Sequence, residues 1–187
     1  LVTELGAVPL YLGVARDTRE DLRDKFAKAA KADLILTSGG VSMGDYDFVP
    51  GVLKELGVQL HFDEVAIQPG KPTVFGSRGN SWVFGLPGNP VSTFIVFEVL
   101  VKPVLFRAMG FHYSPPIIKG AMITDFHRKR TERTAYIPVR LNREGEVEPV
   151  EYHGSAHLTA LSSANGLLKI PRGVGKILKG STVYVRQ

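Results

Sequence analysis

Apolar positions recur at helical spacing in "TREDLRDKFAKAAKA", where Leu22, Phe26, Ala29 and Ala30 share one face of a helix over residues 18 to 32. Thr18 stands at its N-cap, and Asp21, three residues on, completes a capping-box spacing with Asp in the Glu place. "DLILTS" follows as a buried-type strand, and "DFVPGVLKELG" reads as a helix ended by Gly57. After "VQLHFDEVAI" come the strand pieces "PTVFG" and "SWVFGLP", then a long apolar helix from Pro90 to about Met109 with an expected kink at Pro103. Strands alternating with helices predict an α/β fold with a three-layer, mostly parallel sheet.

Beyond "SPP" at 114 to 116 the period falls from 3.6 to 2. Short strands separated by turn signals such as "NREGE" and "PRGVGK" predict a small all-β barrel or sandwich. The expected division is thus an α/β domain over residues 1–110 and a β domain over 111–187. The N-terminus reads differently: "LVTELGA" resembles the last turns of a helix with Gly6 as C-cap, leading into "VPLYLGV" as a strand. An α/β domain does not ordinarily open halfway through a helix, so a preceding strand and helix are expected outside this sequence.

With 187 residues, 44% hydrophobic and 22% charged, the composition is that of a globular protein. No charge-free run of eighteen apolar residues and no signal-type N-terminus occur, so no membrane partner is expected and a cytoplasmic setting is the default. The absence of cysteine excludes disulfides, thiolate metal sites and cysteine nucleophiles. The net charge of +5 is uneven: residues 1–110 hold 11 Lys and Arg against 12 Asp and Glu, and residues 111–187 hold 12 against 6. Those surplus cations are scattered through strands and turns without clustered aromatics, which disfavours nucleic acid as a partner. His61, His112, His127, His153 and His157 show no metal-ligand spacing.

In an open parallel sheet, ligands bind beyond the carboxyl ends of the strands, and three unusual loops follow predicted strands. In "TSGGVSMGDYD", Gly39 and Gly40 let backbone amides approach a ligand, and Thr37, Ser38 and Ser42 add hydroxyls. This suits phosphate, although a plain tight turn explains two glycines equally well. Asp45 reads as a helix cap, while Asp47 fits a cap and a Mg²⁺ ligand equally. In "GLPGNPVS", Pro87 and Pro90 bracket Gly88 and Asn89; Asn89 is an N-cap, and Val91, Ser92 and Thr93 are expected to offer amides and hydroxyls to an anion. In "IQPGKP", Lys71 projects from a stiff Gly-Lys-Pro turn.

"TSGGVSMGDYDFV", "IQPGKPTVFG" and "GLPGNPVS", in this order, resemble the molybdopterin molybdenumtransferase family, the MoeA type that includes the gephyrin E domain. "GSAHLTALSSANGLLKIP" followed by "GSTVYV" is similar to that family's terminal barrel. The resemblance implies that adenylylated molybdopterin and molybdate give molybdenum cofactor and AMP, assisted by Mg²⁺. It places Asp17, Asp47 and Lys71 in catalytic roles, with Asp47 at the metal. Gly39, Gly40, Ser42, Gln68, Pro87, Gly88, Asn89, Pro90, Ser92, Arg133 and Ser155 fall on its binding positions. It also implies a homodimer and possible contact with the molybdopterin adenylyltransferase. Two departures stand out: Gln68 replaces a frequent lysine, and Ala135 replaces the usual glutamate after Arg133. The alternatives are a non-catalytic pterin-binding or scaffold module, and the adenylyltransferase step itself.

Overall fold

Thr18 accepts a hydrogen bond from the Asp21 amide at 3.3 Å and starts α1 (Arg19–Ala29), which buries Leu22, Phe26 and Ala29 of the expected face, while Ala30 is the exposed C-cap. The computed structural model describes residues 1–41, 48–150 and 161–187, and the chain divides into two compact units. Leu1–Val65 and Gly70–Tyr113 form the first; Ala66–Pro69 and Ser114–Gln187 form the second.

The first unit carries β1 (Leu34–Ser38), α2 (Val49–Glu55) and β2 (Gln59–Glu64). After the two residues of β3 (Ile67–Gln68), which belong with the second unit, it continues through β4 (Pro72–Arg78) and β5 (Ser81–Leu86). The sheet order is β1-β5-β4-β2. Only β1 and β5 run parallel; β4 is antiparallel to both β5 and β2, so the sheet is mixed rather than mostly parallel. The reason is local. Gly79 and Asn80 are the sole residues between β4 and β5, and a two-residue turn with Gly79 at φ +55° reverses the strand, whereas a parallel return needs a long crossover.

Leu22 and Phe26 of α1 pack with Val49, Val52 and Leu53 of α2 against Val74 and Val83 of the sheet. Phe84 and Leu86, which alternate with Val83, are buried as well, so β5 is covered on both faces. The long apolar helix forms as α3 (Pro90–Val96), a π turn (Phe97–Val101) and α4 (Lys102–Ala108). Its irregularity falls just ahead of Pro103. The Lys102 amide donates to the Phe97 carbonyl five residues back, a register that accommodates the donor missing from proline.

In the second unit, β6 (Ile117–Met122), β8 (Thr134–Leu141), β9 (Glu146–Pro149), β10 (Gly166–Ile170) and β12 (Thr182–Arg186) follow the order β10-β12-β6-β9-β8. Pairing of β8 with β10 closes the ring, which makes the unit a five-stranded barrel around Met122, Val139, Val147, Leu168 and Val185. β7 (Phe126–His127) and β11 (Lys176–Ile177) form a separate ribbon, and β3 adds to β8 in parallel.

At the N-terminus, Thr3–Leu5 is a 3-10 turn that ends at Gly6 with φ +81°, the expected cap. The strand expected in "VPLYLGV" is not formed: residues 7–14 pair with no described strand, and Val8 is 94% exposed. Alternating apolar residues make a segment fit for a strand, but the ladder needs an edge to bind, and the partner of β1 is β5. Among the described residues no helix is long and apolar enough to cross a membrane.

Candidate functional site

Because β1 and β5 are parallel, their carboxyl ends lie side by side, and the turns that leave them touch. Ser38 pairs with Leu86 in register, the Gly39 amide donates to the Leu86 carbonyl (3.0 Å), and the Ser38 hydroxyl donates to the Pro87 carbonyl (3.4 Å). A Cβ on Gly88 would meet Gly39 Cα at 3.3 Å, so the two glycine backbones are already in contact. Gly39 and Gly40 take φ of +91° and +67°, which favours glycine, and a Cβ on Gly40 would stand 2.9 Å from Val49. The bare backbone that the sequence expects at "SGG" is therefore required by the turn itself.

The third loop reaches the same edge. β4 runs antiparallel to β5, with Val74 opposite Gly85, so the start of β4 lies beside the end of β5. Lys71 immediately precedes β4. Its carbonyl accepts from the Val65 amide (2.9 Å), and the buried Thr73 hydroxyl donates to the Gly70 carbonyl (2.8 Å), which holds the turn rigid. Asp17 is exposed and precedes the capping Thr18. Gly39, Gly40, Lys71, Pro87, Gly88, Asn89 and Pro90 are thus grouped at this edge, and Asp17 belongs to the same unit.

Two details differ from the sequence reading. Asn89 is the N-cap, but its Oδ1 accepts from the amides of both Val91 (3.1 Å) and Ser92 (3.4 Å). The Thr93 amide donates to the Asn89 carbonyl (2.8 Å), and the Thr93 hydroxyl donates to the carbonyls of Pro87 and Asn89. Ser92 itself is buried. The amides of Val91, Ser92 and Thr93 and the Thr93 hydroxyl, expected to face an anion, are committed to the cap and its turn. Among the described residues, those of Gly40, Gly88 and Asn89 have no acceptor. Removing the cap should be measurable: Asn89→Ala is expected to cost about 1 kcal/mol of stability. Thermal unfolding reads that loss, and faster amide exchange at Val91 and Ser92 identifies its origin.

The second difference is Glu64, which the sequence reading passed over. Its Oε1 lies 2.7 Å from Lys71 Nζ, so the lysine expected to stand free holds an internal counter-ion. The two are seven positions apart in sequence. Only the pairing of β2 with β4, Glu64 opposite Pro72, brings them together.

Gln68 and Arg133 lie in the second unit. Arg133 Nη1 donates to the Ile67 carbonyl (3.3 Å), while Arg128 Nη1 donates to the Arg133 carbonyl (2.9 Å), so Arg133 fastens β3 to β8. Gln68 and Ala135, the two departures from the family pattern, are direct register partners. Gln68 Oε1 is buried without a hydrogen-bond partner. A lysine at 68 beside an acid at 135 could form a pair that Gln68 and Ala135 replace with two neutral residues. Ser42, Asp45, Asp47 and Ser155 lie outside the described residues. No cluster of three His, Asp or Glu able to hold a metal occurs among the described residues.

Two family models divide the chain as its units do. Residues 1–107 match the probable molybdopterin binding domain, and residues 120–187 match the MoeA C-terminal region, domain IV. The chain belongs to the MoeA family of molybdopterin-binding proteins. It is 33% identical to the molybdopterin molybdenumtransferase of Bacillus subtilis over 97% of this chain and 43% of that protein. For the enzyme of the same description from Haemophilus influenzae the values are 34%, 99% and 47%. A crystal structure of a molybdopterin biosynthesis MoeA protein from Pyrococcus horikoshii matches with a TM-score of 0.84 at 33% identity, over 99% of this chain and 45% of that one. The chain therefore spans less than half the length of these relatives.

Proposed function

We propose that this chain is the pterin-binding and terminal-barrel part of a molybdopterin molybdenumtransferase, which converts adenylylated molybdopterin and molybdate into molybdenum cofactor and AMP. The observation that carries the reading is the sheet edge where Gly39 and Gly88 touch, with the amides of Gly40, Gly88 and Asn89, which have no acceptor among the described residues, and a rigid turn that carries Lys71. Both reactants are oxyanions, and fixed amides with a fixed cation stabilise such charge without reorganising.

In this reading the amides of Gly40, Gly88 and Asn89, with the Ser42 hydroxyl, receive phosphate oxygens of the pterin nucleotide. Lys71 is the main cationic contact for molybdate. Asp47 and Asp17 supply the carboxylates, and Mg²⁺, when bound by Asp47, would neutralise pyrophosphate charge as AMP leaves. Pro87 and Pro90 keep the Gly88–Asn89 turn stiff. The working protein is a cytoplasmic homodimer that receives its nucleotide from the adenylyltransferase.

The test is Lys71→Ala in the full-length protein. Loss of a charge-assisted contact of about 1.5–3 kcal/mol should raise the molybdate requirement by about tenfold or more, with pterin binding little changed. Loss of pterin affinity with an unaltered molybdate requirement would overturn the assignment.

A further inference from the structure

We infer that Glu64 is the resting counter-ion of Lys71, an internal anion that the incoming oxyanion must displace, and so the residue that sets how readily the subsite fills. The inference rests on the reading of Lys71 given above.

The pair is placed by the backbone and not by two long side chains meeting at random. Glu64 is the last residue of β2, its register partner is Pro72, and the Val65 amide to Lys71 carbonyl bond closes the turn at 2.9 Å. Oε1 and Nζ stand 2.7 Å apart as a close ion pair. Neither side chain has another polar partner among the described residues. Yet the pair does little for the fold. The side chains are 36% and 48% exposed, and ion pairs of that kind contribute little to stability. A close ion pair that is cheap to open is a reversible occupant of the ammonium.

The consequence is electrostatic. With Glu64 in place, the ammonium and carboxylate sum to zero charge, so an oxyanion arriving at Lys71 gains hydrogen bonds but little net attraction. Replacing the carboxylate by a neutral amide restores one full positive charge. The gain grows with ligand charge, so a dianion such as molybdate benefits more than a monoanion. Glu64 thereby keeps the site from being filled by any ambient anion and leaves net affinity to the amides and the pterin phosphate around it.

The experiment is equilibrium dialysis of radiolabelled molybdate against the full-length protein at low salt, for wild type, Glu64→Gln, Lys71→Ala and the double variant. Glu64→Gln should tighten binding by about three- to tenfold, and Glu64→Asp, one methylene shorter, by less. Lys71→Ala should weaken binding, and the double variant should match Lys71→Ala because the gain acts through the ammonium. Nitrate, a monoanion, should also bind Glu64→Gln more tightly than wild type, but by a smaller factor than molybdate. If Lys71→Ala binds molybdate normally, the assignment of Lys71 is wrong. If it binds weakly but Glu64→Gln shows no gain, or the gain persists without Lys71, the role of Glu64 is wrong and the Lys71 assignment stands. No molybdate binding by any of the proteins would overturn both.

Discussion

Asp47→Asn in the full-length protein is expected to bind adenylylated molybdopterin with near-normal affinity and to release almost no AMP when molybdate is added. A carboxylate that would hold Mg²⁺ against a pyrophosphate contributes mainly in the transition state, as charge redistributes on bond cleavage. Removing its charge should therefore lower kcat by about two or three orders of magnitude while leaving ligand affinity nearly intact, even in excess Mg²⁺. Asp45 supplies the control. It is read as a helix cap, so Asp45→Asn should cost at most about 1 kcal/mol of stability and little activity. AMP release by the two variants decides between them. A normal rate for Asp47→Asn, or a collapse for Asp45→Asn, would reverse the assignment.

The structure separates what the residue pattern could specify from what only pairing could. The cap at Thr18, the buried face of α1, the cap at Asn89 and the disturbance ahead of Pro103 are local, and each was legible because its cause lies within five residues. The mixed sheet was not. "SRGN" between two apolar strands is a hairpin signal, but alternating helices and strands suggested parallel crossovers, and the two-residue turn at Gly79 and Asn80 overrides them.

The site divides in the same way. The glycines at 39, 40 and 88 were identifiable from composition, and the contact between them comes from the parallel register of β1 and β5. Asn89 was legible as a cap, but a cap consumes the very amides that an anion would need, which moves the available donors back to Gly88 and Asn89. Glu64 could not be seen as the partner of Lys71 until β2 and β4 were paired, and the same holds for Gln68 opposite Ala135.

Gly85 links the sheet to the site, and substitutions there should cost both stability and binding. It lies in β5 with Thr37 of β1 on one side and Val74 of β4 on the other. A Cβ at this position would stand 2.6 Å from Val41 Cγ1 and 3.1 Å from Val74 Cβ. Val41 follows the Gly39–Gly40 turn directly and is 5% exposed, so its side chain, seated on the bare backbone of Gly85, anchors that turn to the sheet. Any side chain at 85 must push Val41 outward and carry the turn with it. Overpacking a close-packed core typically costs 1–3 kcal/mol, so Gly85→Ala should lose about 2 kcal/mol and Gly85→Val about 3 kcal/mol or more, with pterin binding lost in both. The clash also indicates its own relief. Adding Val41→Ala removes the Cγ1 atom in the way, so Gly85→Ala/Val41→Ala should be more stable than the sum of the two single changes implies, by about 1 kcal/mol. Pterin binding should recover only in part, because the shortened Val41 side chain no longer anchors the turn. Urea unfolding of the four proteins measures the coupling. Wild-type stability for Gly85→Ala, or strict additivity in the double variant, would mean that Val41 does not hold the glycine turn against β5.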